Sequence, residues 1–370
     1  MGDYSPIIRF SDHPDTKFYR VLDYINQKTN YLWRDVRVFF RPRTSLTLKE
    51  SLIFVGALSL FILVSSGIFS FILSFKKDYP SVLNFGDVML DRGVRSIIEK
   101  YERDPFEYIK RDKVVLQKYD MVIANLEGPI VEMERSKCQQ KIYNFQFSEN
   151  TPNLLLSAGI KMVNIANNHT YDCLSKGYVS TLKNLEEKGV LYIGQNAIDK
   201  SYVIKTIDKK KIAFVGIDET IMPIPIAKFY DLVKKLKSEN DYVVVNIHWG
   251  TEYLLTANEK QKDIGHKLVD NGADVVFGHH PHVVEPVEVY KNKLIFYSLG
   301  NFVFDQDFGD TTVGIGAGVE FQKNKMVVNI LPFNLKKFRP EFMRDPEKSQ
   351  YCDKLLSNID NVGCNFEIKH

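Results

Sequence analysis

The amino-acid sequence predicts a mixed α/β domain that follows an apolar N-terminal segment, and three observations support this prediction. From residue 81 to residue 277, short apolar runs alternate with amphipathic stretches, which is typical of βαβ units and a largely parallel sheet. After Phe277, strand-like runs succeed one another with turn residues between them, so the chain should close on a mixed or antiparallel sheet. Residues 51–75 carry no charge, which sets them apart from the domain.

The predicted elements follow from these patterns in chain order. The first group of strand candidates comprises residues 82–85, 121–124, 162–166, 212–217, 242–247 and 274–277. The amphipathic helix candidates between several of them are residues 153–158, 178–188, 228–237 and 259–271. The second group of strand candidates comprises residues 283–290, 294–298, 314–322 and 325–330, with hairpin turns at residues 291–293 and 323–324.

Residues 51–75 predict a transmembrane anchor. At about 1.5 Å per residue, a helix of this length spans the roughly 30 Å of a bilayer's hydrocarbon core. The stretch is longer than the apolar region of a signal peptide, and two lysines follow Phe75 instead of a small-residue cleavage site. More basic residues precede the span than follow it, which predicts a cytoplasmic segment at residues 1–50 and an extracytoplasmic domain. Residues 15–40 have the pattern of an amphipathic helix that could dock on a membrane partner.

Charge and cysteine content exclude some classes of function. The net charge is +3 and no basic block with interleaved aromatic residues occurs, so a nucleic-acid partner is not expected. No CxxC motif occurs, which disfavours a zinc ribbon or a thioredoxin-type site. An extracytoplasmic domain can form disulfides, and the simplest pairing is Cys138 with Cys173 and Cys352 with Cys364. Free buried thiols are the alternative.

Side chains suited to metal binding or proton transfer follow five of the predicted strands. They are Asp87 after the first strand, Asn125 and Glu127 after the second, Asn167, Asn168 and His169 after the third, His248 after a later strand, and His280 and His282 after the next. Because strand ends of a parallel-type sheet share one edge, we expect these side chains to meet in one crevice. Carboxylate, amide and imidazole ligands together suit a divalent metal such as Zn, Mn or Fe.

The histidine cluster at residues 279–282 is the densest of these groups. Pro281 fixes its own φ and biases His280 towards extended geometry, so the H-P-H loop can present two imidazoles at a preset separation. We predict His280 and His282 as ligands and His279 as a neighbour that supports the loop. The alternative is a polar loop whose histidines only bond backbone groups. The histidines without such a context, predicted to be ordinary surface residues, are His13, His266 and His370.

Each of the other strand-end residues also has an ordinary structural explanation. Asp87 could be a turn residue, and Glu127 could be a loop salt-bridge partner. Asn168 and His169 could cap the next helix, and His248 could be a hydrogen-bonded core histidine. These explanations are plausible one by one but explain the joint pattern poorly.

Seven ordered motifs carry a resemblance to a known family. They are GDVMLDR, NLEGPI, ANNHTYD, GQNA, IHWGTEY, GHHPHVVEPVE and YSLGNFVFDQ, spread over roughly residues 81–331. In this order the sequence resembles the CapA/PgsA family of poly-γ-glutamate capsule synthesis proteins, within the calcineurin-like metallophosphoesterase superfamily. The resemblance implies a four-layer α-β-β-α sandwich over residues 81–333, preceded by the single transmembrane helix and followed by a C-terminal tail at residues 334–370.

The resemblance also implies roles for individual residues and a cofactor of one or two divalent transition metals. One metal would be bound by Asp87 and His282, and Glu127 would bridge the two metals. The ligands of the second metal would be Asn168, His248 and His280. His169 would be the general acid and Asp172 its orienting partner. The substrate-binding residues would be Arg92, for which a surface ion pair is the alternative, and Asn301 at the rim of the cleft.

Two departures from the superfamily pattern leave two functional hypotheses open. Met89 stands where the superfamily's D-x-H motif has its histidine, and Glu127 replaces the carboxylate of its usual GDxxD motif. The first hypothesis is a metal-dependent hydrolase that cleaves an anionic capsule polymer or another phosphoester. The second is a non-catalytic subunit that binds or anchors the polyanion for a synthetase partner at the membrane.

Overall fold

The computed structural model describes residues 79–221, 223–359 and 362–369. The predicted cytoplasmic segment, its amphipathic helix and the predicted transmembrane anchor at residues 51–75 lie outside the described residues, as do His13 and His370. Among the residues that are described, no helix combines the length and the hydrophobicity that a membrane span requires.

Strands and short helices alternate along the described chain. The strands are β1 (Ser81–Val88), β2 (Met121–Leu126), β3 (Met162–Asn164), β4 (Leu191–Ile193), β5 (Tyr202–Ile207), β6 (Lys210–Asp218), β7 (Tyr242–His248), β8 (Val275–His279), β9 (Val287–Tyr290), β10 (Lys293–Phe296), β11 (Asn301–Val303), β12 (Val313–Phe321), β13 (Lys325–Lys336), β14 (Arg339–Phe342) and β15 (Asn365–Lys369). The α-helices are α1 (Arg92–Glu99), α2 (Glu107–Arg111), α3 (Lys113–Leu116), α4 (Thr151–Ser157), α5 (Leu174–Lys188), α6 (Ile226–Glu239), α7 (Glu259–Asp270) and α8 (Glu347–Leu355).

These strands form two mixed sheets. Sheet 1 has nine strands in the order β14-β13-β12-β1-β2-β3-β4, with β11 paired to β1 and β15 paired to β13. Its β1 to β4 run parallel, whereas β12 joins β1 antiparallel. Sheet 2 has six strands in the order β5-β6-β7-β8-β10-β9, and β6, β7, β8 and β10 run parallel. The chain therefore builds two parallel centres, one in each sheet.

Three hydrophobic cores show how the layers pack. The first core joins the facing sides of both sheets, and Val82 of β1, Phe214 of β6 and Phe277 of β8 are fully buried in it. The second covers the outer face of sheet 1 and includes Leu155 of α4 and Leu185 of α5. The third covers the outer face of sheet 2, against α6 and α7. The architecture is a mixed α/β sandwich with helices on both outer faces.

The predicted strands and helices are found within a few residues of their expected bounds, but the sheet arrangement differs from a single parallel sheet. Both predicted hairpins are confirmed, since β9 pairs with β10 and β12 pairs with β13, both antiparallel. Lys291 and Asn292 between β9 and β10 both have positive φ values, 48° and 61°, as a two-residue type I′ turn requires.

Residues 334–370, which were expected to form a C-terminal tail, contribute strands to sheet 1. Strand β13 continues to Lys336, β14 pairs with it, and β15 pairs with residues 325–329 of the same strand. In β15 the burial alternates, so Phe366 and Ile368 face the first core while Asn365, Glu367 and Lys369 face solvent. A five-residue strand with only two apolar positions gives too weak a pattern to be found by periodicity.

Both predicted disulfides are confirmed. Cys138 is bonded to Cys173, and Cys352 is bonded to Cys364. The first joins a loop after β2 to the residue that precedes α5, and the second ties α8 to the segment before β15. The alternative of free buried thiols is therefore wrong.

Candidate metal centre

The strand-end side chains do converge, but they arrive from both sheets. Asp87 at the end of β1, Glu127 after β2 and His169 after β3 come from sheet 1. His248 at the end of β7 and the histidine loop after β8 come from sheet 2. The carboxyl ends of two facing parallel centres thus form one cluster, where a single sheet edge was expected.

A β-bulge at Gly86 aims Asp87 into this cluster. The register of β1 against β2 shifts between residues 85 and 87, which brings Asp87 opposite Asn125. A Cβ atom at Gly86 would lie only 1.8 Å from the carbonyl oxygen of Gly300, so the position admits glycine alone. Asp87 therefore lies within strand β1 and is not the turn residue of the alternative explanation.

Asp87 is fully buried and receives donors from three directions. Its Oδ1 accepts from Asn125 Nδ2 at 2.8 Å, and its Oδ2 accepts from the backbone N–H of His280 at 3.2 Å. His282 Nδ1 lies 3.3 Å from Oδ2. Burial raises the pKa of Asp87, but the hydrogen bond and charge of His282 outweigh it, and the pKa is lowered overall. Asp87 is therefore held as a carboxylate.

The Asn125 amide links Asp87 to His248. Its Oδ1 accepts from Asn164 Nδ2 at 3.0 Å, so its Nδ2 is the atom that faces Asp87 and, at 3.3 Å, His248 Nδ1. His248 Nδ1 therefore accepts a hydrogen bond from the Asn125 amide. Its Nε2 carries the proton and donates to Asn168 Oδ1 at 2.9 Å. Burial and the nearby His280 lower the pKa of His248 well below its usual range, so this imidazole is neutral.

The H-P-H loop has a strained backbone. His280 has φ = 97° and His282 has φ = 60°, so Pro281 does not hold His280 in the extended geometry that we predicted. Two contacts fix this conformation: the His280 N–H bonds Asp87, and the Pro281 carbonyl accepts from the Tyr253 N–H at 2.8 Å. The strain places both imidazoles against the cluster.

The three histidines of this loop have different surroundings. His282 Nδ1 lies 3.0 Å from Asn301 Oδ1, which leaves its Nε2 directed at Glu127 Oε1, 3.7 Å away. His280 Nδ1 is buried and has no hydrogen-bond partner among the described residues. His279 is fully buried with Nε2 at 3.3 Å from Asn246 Oδ1, in keeping with a supporting neighbour. Burial lowers the pKa of both His279 and His280 to about 4.

Glu127 places a buried carboxyl group without hydrogen-bond donors from the described residues at the centre of the cluster. It is fully buried, and in the part of the chain that the structure describes neither carboxylate oxygen has a hydrogen-bond partner. Burial and the charge of Asp87 raise the pKa of Glu127 well above its usual range. Among the described residues it forms no ion pair with a lysine or arginine, so the loop salt bridge of the alternative explanation is absent.

His169 and Asp172 form a buried dyad. His169 Nδ1 lies 2.7 Å from Asp172 Oδ2, and its Nε2 lies 3.8 Å from Glu127 Oε1. Phe145 stacks on the imidazole with 4.1 Å between ring centroids. Burial lowers the pKa of His169 below its usual range although Asp172 opposes this. Helix α5 begins only at Leu174 with Cys173 as its N-cap, so neither Asn168 nor His169 caps it.

The donor set fits a divalent cation. Imidazole nitrogens of His280 and His282 lie beside the Glu127 carboxylate, which has no hydrogen-bond donor among the described residues, and a cation would supply the missing charge. Two groups of side chains bring ligand atoms within 4.8 Å of one another: Glu127 with His280 and His282, and Asp87 with Glu127 and His248. Glu127 belongs to both groups, as a bridging ligand would. His280 falls in the same group as His282, whereas we predicted it to share a metal with His248. The assignment of ligands to individual metals stays a prediction.

The two predicted substrate contacts lie in different places. Arg92 forms an ion pair with Asp305, and its guanidinium lies 4.9 Å from the ring centroid of Phe145. The ion-pair alternative thus describes Arg92, and its substrate role stays a prediction. Asn301 is fully buried behind His282, and its Nδ2 donates to Gln306 and to the Thr311 carbonyl. This geometry orients His282 instead of shaping a rim.

Buried asparagines beneath the cluster were not predicted as site residues. Asn164 supports Asn125, and Asn84 donates to Asn246 Oδ1 at 2.5 Å across the two sheets. Each lies inside an otherwise apolar strand, where an amide needs a partner, and this anomaly is a signal that sequence reasoning could have used. Lys141, whose Nζ lies 2.5 Å from Asp172 Oδ1, was missed for want of any sequence signal in its loop.

Comparisons with known proteins place the chain among capsule proteins. The family model "Bacterial capsule synthesis protein PGA_cap" matches residues 81–306. The "Capsule biosynthesis protein CapA" of Bacillus anthracis is 32% identical over 280 residues, covering 69% of this chain and 67% of the relative. The "PGA biosynthesis protein CapA" of Bacillus subtilis (strain 168) is 31% identical over 257 residues, covering 64% and 67%.

Solved structures resemble the chain more weakly. A hypothetical protein from Thermus thermophilus superimposes with a TM-score of 0.42 and 17% identity, covering 78% of this chain and 99% of its own. At that similarity, nothing about a ligand or an activity transfers to the cluster.

Proposed function

The chain belongs to the bacterial capsule synthesis protein family PGA_cap, and on that premise we propose that it is a metal-dependent hydrolase of metallophosphoesterase type. Its substrate would be an anionic capsule polymer such as poly-γ-glutamate, or a phosphoester. Membership of the family confirms the resemblance that the seven motifs predicted.

The observation that carries the proposal is the state of Glu127. A carboxyl group that is fully buried and has no donor on either oxygen is costly in the folded protein unless a cation joins it. His280 and His282 lie beside it. Burial lowers the pKa of His280, and Asn301 engages Nδ1 of His282, so each imidazole keeps a nitrogen that can bind a metal. The residues that would hold one or two divalent metals are Asp87, Glu127, Asn168, His248, His280 and His282.

The chain's own residues supply the remaining chemistry. A divalent cation bound at the cluster would act as a Lewis acid and neutralise negative charge on the substrate. His169 Nε2 faces Glu127 and can exchange a proton with the reacting group, while Asp172 holds Nδ1 and balances an imidazolium. Asn125 and Asn301 fix the ring orientations of His248 and His282. The protein therefore combines an anion-binding centre with a positioned proton carrier.

We also propose that the domain acts outside the cell membrane, anchored by residues 51–75 and beside a synthetase partner. The two disulfides support an oxidising compartment for the described residues. The uncharged stretch at residues 51–75 and the excess of basic residues before it support the orientation.

The test uses the full-length chain purified in a mild detergent and analysed for bound Mn, Zn and Fe. His280→Ala should lose the metal and all turnover of p-nitrophenyl phosphate and poly-γ-glutamate. His169→Ala should keep the metal and lose turnover of poly-γ-glutamate, whose leaving amine needs a proton, while turnover of p-nitrophenyl phosphate persists. His266→Ala is the matched control, because His266 pairs with Glu288 at 3.0 Å and stacks on Tyr290, apart from the cluster. A wild-type protein that neither contains nor takes up a transition metal refutes the hydrolase.

The non-catalytic alternative has one observation in its favour. Met89, at the position of the superfamily's histidine, is fully buried and its sulfur accepts from the Asp91 N–H at 3.1 Å, so it adds no imidazole to the cluster. If the protein binds metal and retains poly-γ-glutamate in a salt-dependent way but hydrolyses neither substrate, the polymer-binding role replaces the hydrolase.

A further inference from the structure

A loop between β2 and α4 wraps around the turn that carries His169. The disulfide from Cys138 to Cys173 closes it at one end. The Gln139 N–H donates to the Asp172 carbonyl at 2.7 Å, and the Phe145 N–H donates to Asp172 Oδ2 at 2.6 Å. This loop, residues 138–145, therefore touches the dyad through its backbone and through one aromatic ring.

Lys141 is the charged residue that this loop brings to the dyad. Its Nζ forms an ion pair with Asp172 Oδ1 at 2.5 Å and donates to the Asn168 carbonyl at 3.2 Å. Asp172 is fully buried, and its Oδ2 already faces the Phe145 N–H and His169 Nδ1. The ammonium group of Lys141 is therefore the one cation that compensates the Asp172 charge among the ion pairs of the described residues.

We propose that Lys141 is a positioning residue, which acts through Asp172 to keep the His169 proton on Nδ1 and so leaves Nε2 free to exchange a proton with the substrate. The inference rests on the proposed hydrolase only for its effect on turnover. The hydrogen bond from His169 Nδ1 to Asp172 Oδ2 fixes the tautomer only while the carboxylate is held in place. Without Lys141, Oδ1 loses its partner and the carboxylate is free to rotate away from His169.

The chain offers a matched control in the same loop region. Lys137 pairs with Glu134 at 3.2 Å, its side chain is 60% exposed, and among the ion pairs of the described residues it forms none with Asp172. Lys141→Met removes the ion pair and keeps the length of the side chain, whereas Lys141→Arg keeps the charge. Lys137→Met removes a lysine of equal charge without touching the dyad. Thermal unfolding of all four proteins establishes that each variant is folded.

The first measurement is independent of activity. Nitrogen-15 NMR of the metal-free full-length chain, labelled at histidine, reports the tautomer of His169, with His169→Gln identifying its signals. We expect the Nδ1–H tautomer in the wild-type, Lys137→Met and Lys141→Arg proteins, and a mixture or the Nε2–H tautomer in Lys141→Met. An unchanged tautomer in a folded Lys141→Met protein overturns the inference.

The second measurement compares two substrates on the Mn²⁺-loaded chain. The phenolate of p-nitrophenyl phosphate leaves without a proton, whereas the alkoxide of benzyl phosphate needs one. Lys141→Met should lower kcat for benzyl phosphate on the order of 10- to 100-fold, with KM and the p-nitrophenyl rate within about threefold of wild type. Equal losses on both substrates contradict a role through proton transfer. A wild-type protein that hydrolyses neither ester counts against the hydrolase alone, and the tautomer then decides on Lys141.

Discussion

Replacing Glu127 by glutamine should stabilise the metal-free protein and remove the stabilisation that a bound metal gives. Glutamine keeps the size of the side chain but removes a charge that has no donor, and its amide can donate to His169 or His282 Nε2, both within 3.8 Å. An unsatisfied buried polar group costs about 1–3 kcal/mol. We expect Glu127→Gln to raise the free energy of unfolding by about that amount at pH 8 in EDTA.

The stability difference between Glu127→Gln and the wild type should depend on pH. The pKa of Glu127 is raised in the folded protein, so the group's contribution to stability is present at low pH and is lost as the pH rises towards the folded value. The difference between mutant and wild type should therefore be larger at pH 8 than at pH 5. A cation at 100 times its Kd would add about 2.7 kcal/mol to the free energy of unfolding of the wild type alone. The stability advantage of Glu127→Gln should therefore shrink or reverse when the metal is present.

The assay is urea unfolding followed by circular dichroism, with and without Mn²⁺, at pH 5 and pH 8. Glu132→Gln is the control, because Glu132 is an exposed carboxylate of the same loop region. If Glu127→Gln destabilises the EDTA-treated protein equally at both pH values, the assignment of an unpartnered buried carboxylate is wrong. If Mn²⁺ stabilises mutant and wild type alike, Glu127 is not a ligand.

Three further predictions concern the support of the centre. The Cys138→Ser, Cys173→Ser double variant should lose about 4 kcal/mol of stability in chemical unfolding, since its disulfide closes a loop with a sequence separation of 35. Gly86→Ala should cost about 3 kcal/mol and lower metal content by elemental analysis, because its Cβ would lie 1.8 Å from the Gly300 carbonyl oxygen. Burial raises the pKa of Glu285 to about 7 from 4.5, so stability should fall by up to about 3 kcal/mol as the pH rises through that window. Glu285→Gln should make the fall between pH 4.5 and pH 8 smaller by about that amount in unfolding experiments, and an unchanged fall in the variant would assign it to other groups.

The strand positions could be predicted from sequence because their apolar runs are long and sharply bounded. Strand β7 was expected at residues 242–247 and occupies Tyr242–His248. The division into two sheets was expected only from the family resemblance, because parallel strands that are buried on both faces are apolar throughout and their periodicity does not reveal their neighbours. Strand β15 was missed because only two of its five side chains are buried apolar residues.

The candidate site was predictable in its residue types but not in its supports. Asp87, Glu127 and the H-P-H loop stand out because polar side chains interrupt the chain where an apolar strand ends. Lys141 reaches the dyad because a disulfide and several backbone hydrogen bonds hold its loop against a turn that lies some thirty residues further along the chain. Long-range closure of this kind leaves no periodic trace in the sequence.

The position of the cluster at the meeting edge of two sheets has a mechanical consequence. Sheet 1 and sheet 2 face each other mostly through non-directional apolar contacts, which resist separation but allow small shear displacements. An ion bound by Asp87 of sheet 1 and His248 of sheet 2 would cross-link the two sheets and oppose such shear. Hydrogen exchange at the ends of β1, β2, β7 and β8 should then slow together when the ion binds, while the far edges at β14 and β5 exchange as before.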